Sequence, residues 1–194
     1  AGVAQGTEFR VNTSTDQSQY QPTITATADG GFVVGWYDDY YTNAANTEYA
    51  DVMFQRFDAT GVAQGVETRA NPTGEGTIAQ SQPSITALAG GGFMTVWTDA
   101  SKDGSGSGIY GQRFTALGVA AGPVLQINSY ITTTQDRPSV AGNKDGGFIT
   151  VWESEGQDLS GTGIYAQRFD ANGAKVGNEF RVNTHISSTQ SEPT

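Results

Sequence analysis

The sequence predicts an all-β chain of tandem four-stranded antiparallel meanders packed as the blades of a β-propeller, with a β-solenoid as the alternative. Three observations point there. The chain repeats itself: Gln-x-x-Pro recurs at Gln19, Gln80, Gln135 and Gln190, Trp at Trp36, Trp97 and Trp152, and Gln-Arg-Phe from Gln55, Gln112 and Gln167. Its 26 glycines and 36% hydrophobic content describe short strands and turns. No stretch carries apolar residues at helical spacing, whereas alternation with period two is frequent.

The later anchors lie 55 residues apart, while Trp36 and Trp97 lie 61 apart. The six extra residues fall in two connections, four between Trp36 and Gln55 and two between Asn71 and Pro83. Insertions confined to connections leave a constant strand framework. Residues 1–21 read as the last strand of a preceding repeat, 22–82 as repeat 1, 83–137 as repeat 2, and 138–194 as repeat 3 plus the start of the next. The chain begins with Ala1 and reads as a mature or excised piece.

Within a unit, Ile24 to Ala28 leads through Asp29-Gly30-Gly31 into Phe32 to Trp36, a tight-hairpin pattern repeated at Lys144 to Phe148. Asp58-Ala59-Thr60-Gly61 and Asp170-Ala171-Asn172-Gly173 predict a second hairpin, a type I turn followed by a glycine bulge. The outgoing strand ends on Asn12, Asn71, Asn128 or Asn183, whose amides are expected to satisfy backbone groups at the strand exit. Phe32, Val34 and Trp36 share one strand face and Val33 the other. Both faces are apolar, as a blade packed between two neighbours requires, so the three tryptophans are expected in the core. Arg56, Arg113 and Arg168 recur at one strand position and are expected to pair with carboxylates or carbonyls between blades.

Charge and composition exclude several functions. Twenty acidic against ten basic residues give a formal charge of −10, which repels nucleic acid and anionic lipid. No apolar run reaches the ~18 to 20 residues of a membrane span, so no membrane insertion is expected. With no Cys and a single His185, a thiolate or histidine metal centre has no ligands. A bound metal would be held by oxygen, which suits Ca²⁺.

The connection from the Trp strand to the Gln-Arg-Phe strand is the longest and the candidate site. In repeats 2 and 3 it aligns Asp103 with Asp158 and Ser105 with Ser160. Carboxylates, hydroxyls and glycine-freed carbonyls are Ca²⁺ ligands, and Asp99, Asp103, Ser105, Glu153, Glu155 and Asp158 are the candidate set. The same residues also make ordinary solvated turns. Repeat 1 carries instead Tyr37, Asp38, Asp39, Tyr40, Tyr41 and Tyr49, candidate ligand-binding residues because tyrosine offers a flat apolar face with a hydrogen-bonding tip. Packing against a neighbouring blade is the alternative. No catalytic acid, base or nucleophile converges in the sequence, so the chain is expected not to be an enzyme.

The segments Phe-Arg-Val-Asn-Thr, Asp-Gly-Gly-Phe, Trp and Gly-Ile-Tyr-Ala-Gln-Arg-Phe-Asp-Ala-x-Gly resemble repeats of very large bacterial secreted proteins associated with repeats-in-toxin modules. In plan they are similar to the delta-60 propeller-type repeats. The resemblance covers essentially the whole chain and implies a secreted or cell-surface location. The chain lacks the Gly-Gly-x-Gly-x-Asp nonapeptide of the calcium-binding toxin repeat, so that Ca²⁺ site is not carried over. With the loop acids read as above, the expectation is a non-catalytic module for adhesion, matrix or scaffold contacts, stabilised by calcium if those acids bind it, with a lectin-like carbohydrate-binding module as the alternative. The partners the resemblance implies are a glycan or protein surface, with self-association or membership of a longer chain.

Overall fold

The computed structural model describes residues 6–15, 18–41, 48–72, 79–100 and 102–193. These form three four-stranded antiparallel sheets and no helix. The first contains β1 (Ser18–Ala26), β2 (Phe32–Tyr41), β3 (Glu48–Phe57) and β4 (Ala63–Arg69). The second contains β5 (Gln80–Ala87), β6 (Phe93–Asp99), β7 (Gly108–Phe114) and β8 (Leu125–Gln126), and the third β9 (Gln135–Gly142), β10 (Phe148–Glu155), β11 (Thr162–Phe169) and β12 (Lys175–Arg181). Within each sheet the strands pair in chain order, which is the expected meander. Each blade begins at its Gln-x-x-Pro strand, so β1 spans the 21/22 division drawn from the repeat.

Both hairpins of a blade use one turn design. In the first, Gly30 N donates to Thr27 O and Thr27 N to Gly31 O; in the second, Gly61 N donates to Asp58 O and Asp58 N to Val62 O. Gly30 supplies the left-handed residue of that turn, at φ 86°. The second glycine of each Gly-Gly pair has a different role. A Cβ on Gly92 would lie 2.1 Å from the Phe114 carbonyl oxygen, so glycine lets β6 start hard against the end of β7. The Asp58 carboxylate accepts from Thr60 N, Thr60 Oγ1 and Val62 N, and these bonds hold its pKa below the ordinary value.

The inner strands β1, β5 and β9 stand side by side. Hydroxyls on one inner strand accept backbone N–H bonds from the next: Ala87 N to Thr25 Oγ1 and Gly142 N to Thr86 Oγ1, both 3.0 Å. Apolar clusters fill the spaces between blades. Val33, Val52, Phe54 and Ala70 of blade 1 meet Ile85, Phe93, Trp97, Tyr110 and Phe114 of blade 2. Met94, Val96, Ile109 and Ile127 of blade 2 meet Val140, Phe148, Trp152, Tyr165 and Phe169 of blade 3. Trp36 packs with Val34, Phe57 and Val11. All three tryptophans are buried, as their phase on the strand predicts.

The recurring polar residues are also structural. Nε2 of Gln55, Gln112 and Gln167 donates to the carbonyl of the following arginine, at the irregular register between the third and fourth strands. The arginine stems pass between blades: Arg56 Cδ lies beside Gly118, and Arg113 Cδ beside Gly173. The expectation for these arginines therefore takes a different form, in which the aliphatic stem packs on the glycine of the next blade's second turn.

Candidate functional site

The four Gln-x-x-Pro segments converge on one cavity of about 390 Å³ at the inner edge of the blades. It is lined by Gln21, Gln82, Arg137 and Glu192, by the proline after each, and by Thr23, Ser84 and Ser139. Those first four residues share an unusual backbone, with φ of 50°, 54°, 50° and 60°. A left-handed non-glycine residue costs roughly 1–3 kcal/mol and persists where its surroundings impose it. In β1, β5 and β9 it falls at a break in register with the second strand.

Hydrogen bonds between blades hold these residues. Gln82 N donates to Gln21 Oε1 at 3.0 Å, and Arg137 N to Gln82 Oε1 at 2.9 Å. At the third step Glu192 N donates to Glu153 Oε1 at 2.6 Å. Here the repeat changes character. Where the other blades have Tyr37 and Thr98, blade 3 has Glu153; where they have Tyr20 and Ser81, it has Asp136; where they have Gln21 and Gln82, it has Arg137. The fourth segment places Glu192 at the last of these positions.

These departures gather at one place. Arg137 Nη1 donates to both oxygens of Glu153, at 3.1 and 3.2 Å, and the Glu153 side chain is only 6% exposed. Asp136 lies directly opposite Glu153 across the β9–β10 ladder. Burial, then the Glu153 charge, raises the Asp136 pKa, while Arg137 opposes the shift. Arg137 and Glu192 line the cavity, the Arg137 guanidinium and the Glu192 N–H both bind Glu153, and Asp136, opposite Glu153, holds its proton to higher pH than an ordinary aspartate.

A group whose folded pKa is raised contributes stability that is present below the unfolded value, here 3.8, and is lost as pH rises through the folded value. Asp136→Asn is therefore expected to reduce the fall in melting temperature as pH is raised above about 4. Asp38, whose pKa burial raises against a hydrogen bond from Gln19, gives a remaining slope of the same sign. A melting profile from pH 3.5 to 7 that Asp136→Asn leaves unchanged contradicts the assignment.

The candidates drawn from the sequence lie mostly elsewhere. Tyr37, Asp38, Asp39, Tyr40 and Tyr41 continue β2, and Tyr49 lies on β3, where it pairs with Tyr40; only 42–47 of that connection fall outside the described residues. The Tyr37 ring contacts Tyr20, with centroids 5.2 Å apart, and Asp38 accepts from Gln19 Nε2 at 3.0 Å. Asp99 accepts from Gln80 Nε2 and from Lys102 N, and Glu155 ends β10. Asp103 and Asp158 accept from Ser105 N and Ser160 N within their own loops, and Asp158 Oδ2 lies 4.0 Å from Arg181 Nη1. The second oxygens, Asp103 Oδ2 and Asp158 Oδ2, are buried and receive no hydrogen bond among the described residues. Among those residues no three acidic or histidine side chains gather as a metal-binding group. Of the predicted set, only Glu153 belongs to the axial cavity's network. Asp136, Arg137 and Glu192 lie outside that set, and the signal that exposes them is their departure from the repeat.

No protein-family model and no curated protein matches the chain. Solved structures do. An endo-arabinase from Bacteroides thetaiotaomicron is 16% identical with a TM-score of 0.55, over 88% of this chain and 66% of that one. A family-43 endo-arabinanase from Bacillus licheniformis is 14% identical with a TM-score of 0.50, over 86% and 60%. A thermostable family-43 glycoside hydrolase is 15% identical with a TM-score of 0.53, over 93% and 63%. These neighbours are five-bladed propellers, and the chain spans about two thirds or less of their length. The likeness establishes propeller blades over a solenoid. It also corrects the expectation of a non-catalytic adhesion, matrix or scaffold module that is not an enzyme: the structures that share this fold are glycoside hydrolases.

Proposed function

We propose that the chain is the larger part of a carbohydrate-cleaving propeller whose glycan binds in the axial cavity. The observation that carries this reading is that Arg137 and Glu192, charged departures from the repeat, line that cavity and are tied through Glu153 to Asp136, two further departures. In a repeat protein the common residues build the blades, and local departures are free to serve chemistry. Glycoside hydrolysis needs one carboxylic acid to protonate the leaving oxygen and one carboxylate to activate water or attack the sugar.

Asp136 is suited to the first role, because its raised pKa keeps a proton available. Glu192, an exposed residue on the cavity wall, is suited to the second. Arg137 pairs with Glu153 opposite Asp136, and burial together with the Glu153 charge raises the Asp136 pKa. Gln21 and Gln82 line the other side with amides that suit sugar hydroxyls. A hard cation such as Ca²⁺ at Asp103 Oδ2 or Asp158 Oδ2 belongs to the same proposal as a stabilising element; excess chelator would then lower the melting temperature. A polysaccharide substrate agrees with a secreted or cell-surface location.

The test is release of reducing ends from arabinan, xylan, galactan and β-glucan by the purified chain. Cleavage of at least one polymer is expected, with products of uniform anomeric configuration by NMR. A folded chain that releases nothing from the panel overturns the reading.

A further inference from the structure

At the end of each described blade one asparagine bonds in two directions. Asn71 Oδ1 accepts from Val52 N on the third strand of its own blade at 2.9 Å, while Nδ2 donates to Gln80 Oε1 of the next blade at 3.0 Å. Asn128 accepts from Ile109 N at 2.9 Å and donates to Gln135 at 3.0 Å; Asn183 accepts from Ile164 N at 2.8 Å and donates to Gln190 at 2.9 Å. Asn12 makes half of this connection. Its Nδ2 donates to Gln19 Oε1 at 3.2 Å, but among the described residues no third strand offers an N–H to its Oδ1.

The segment before Asn12 is equally incomplete. Glu8-Phe9-Arg10 repeats Glu179-Phe180-Arg181 of β12, yet residues 7–12 belong to no ladder. Blade 1 nevertheless holds the segment in place: Thr13 N and Oγ1 donate to Glu67 Oε2 at 2.7 and 2.6 Å, and the Phe9 ring meets Phe57 at 5.4 Å. Between the segment and blade 1 lies a groove of about 210 Å³, bounded by Val11, Asn12, Tyr20, Val34 and Trp36. At the two complete junctions a third-strand side chain shares the corresponding tryptophan's cluster, Val52 with Trp97 and Ile109 with Trp152.

We propose that the edge of residues 8–12, with this groove, is a docking site for a β-strand of the chain's own third-strand type, Gly-Ile-Tyr-x-Gln-Arg-Phe, supplied by another unit of the same repeat. The strand adds to the open edge by backbone hydrogen bonds. Its isoleucine N–H donates to Asn12 Oδ1, and its isoleucine side chain enters the groove beside Trp36. The two complete junctions define this occupant, since they show what fills the equivalent space. The inference is independent of the glycan reading.

A synthetic labelled peptide with the sequence of Thr162–Phe169 tests it against the intact chain, with binding and amide exchange as readouts. Saturable binding is expected, with exchange at Phe9 to Asn12 slowed about tenfold or more. Asn12→Ala should weaken binding roughly five- to tenfold, the loss of one hydrogen bond, and a scrambled peptide should not bind. Absence of binding overturns the proposal, as does binding that leaves exchange at residues 9–12 unchanged. Concentration-independent protection of those amides in the chain alone overturns it as well.

Discussion

Glu153→Gln is expected to lower glycan cleavage by about 10²- to 10⁴-fold, the usual range for a displaced acid–base group, with a smaller change in melting temperature. The substitution preserves shape and an oxygen that can accept from Glu192 N, but removes the charge that pairs with Arg137. Asp136 then loses the carboxylate that helps hold its proton, while Arg137 remains beside it, so its pKa should fall and its proton should be lost at lower pH. The loss should appear in kcat more than in KM, and the alkaline limb of the pH–rate profile, which reports the general acid, should move to lower pH. Because the Arg137 side chain is 48% exposed, water replaces much of its lost pairing, which keeps the structural cost modest. Parallel kinetics and thermal melts check this; an unchanged kcat contradicts the site.

Trp97→Ala is expected to cost about 3–5 kcal/mol of stability, the range for truncating a large aromatic in a packed core. Trp97 is fully buried among Val52, Phe54, Phe93 and Tyr110, so its loss opens the junction between blades 1 and 2 where apolar contact is continuous. Trp36→Ala should cost less. Its cluster contains only Val34, Phe57 and partly buried Val11, Phe32 and Met53, and the groove beside it is already open. Urea unfolding of both variants tests the ordering; equal midpoints would mean that a junction with one incomplete side is as well packed as a complete one.

How much of this was legible in the sequence differs between blade and site. Trp36, Trp97 and Trp152 lay in phase with Phe32, Phe93 and Phe148, and that alternation correctly placed them inside. Asp29-Gly30-Gly31 announced a hairpin, although the need for Gly31 to approach the Phe57 carbonyl depends on a strand 26 residues later. Gln19, Gln80 and Gln135 were legible as anchors, but that they bond to the asparagine of the preceding unit is a relation between blades.

The axial site was hidden for a related reason. Arg137 and Glu192 stand beside the most regular anchor of the repeat, where regularity suggested architecture, and Asp136 and Glu192 are 56 positions apart in the chain. Only the arrangement of inner strands around one cavity brings Arg137 and Glu192 together, with Glu153 linking them to Asp136. The longest connections read as the sites in the sequence, yet the structure continues β2 and β3 through much of the tyrosine-rich one. The expectation of a non-catalytic module has the same origin: the link from Arg137 and Glu192 through Glu153 to Asp136 joins separate strands and is invisible along any one of them.

The most direct test is a side-chain carboxyl NMR titration with an arabinose oligosaccharide, comparing the carboxyl resonances of the whole chain. The account predicts that shifts concentrate on Asp136, Glu153 and Glu192 and that the sugar alters the titration of Asp136. Shifts confined to Asp38 and Asp39, with the three axial carboxyls unmoved, would contradict it.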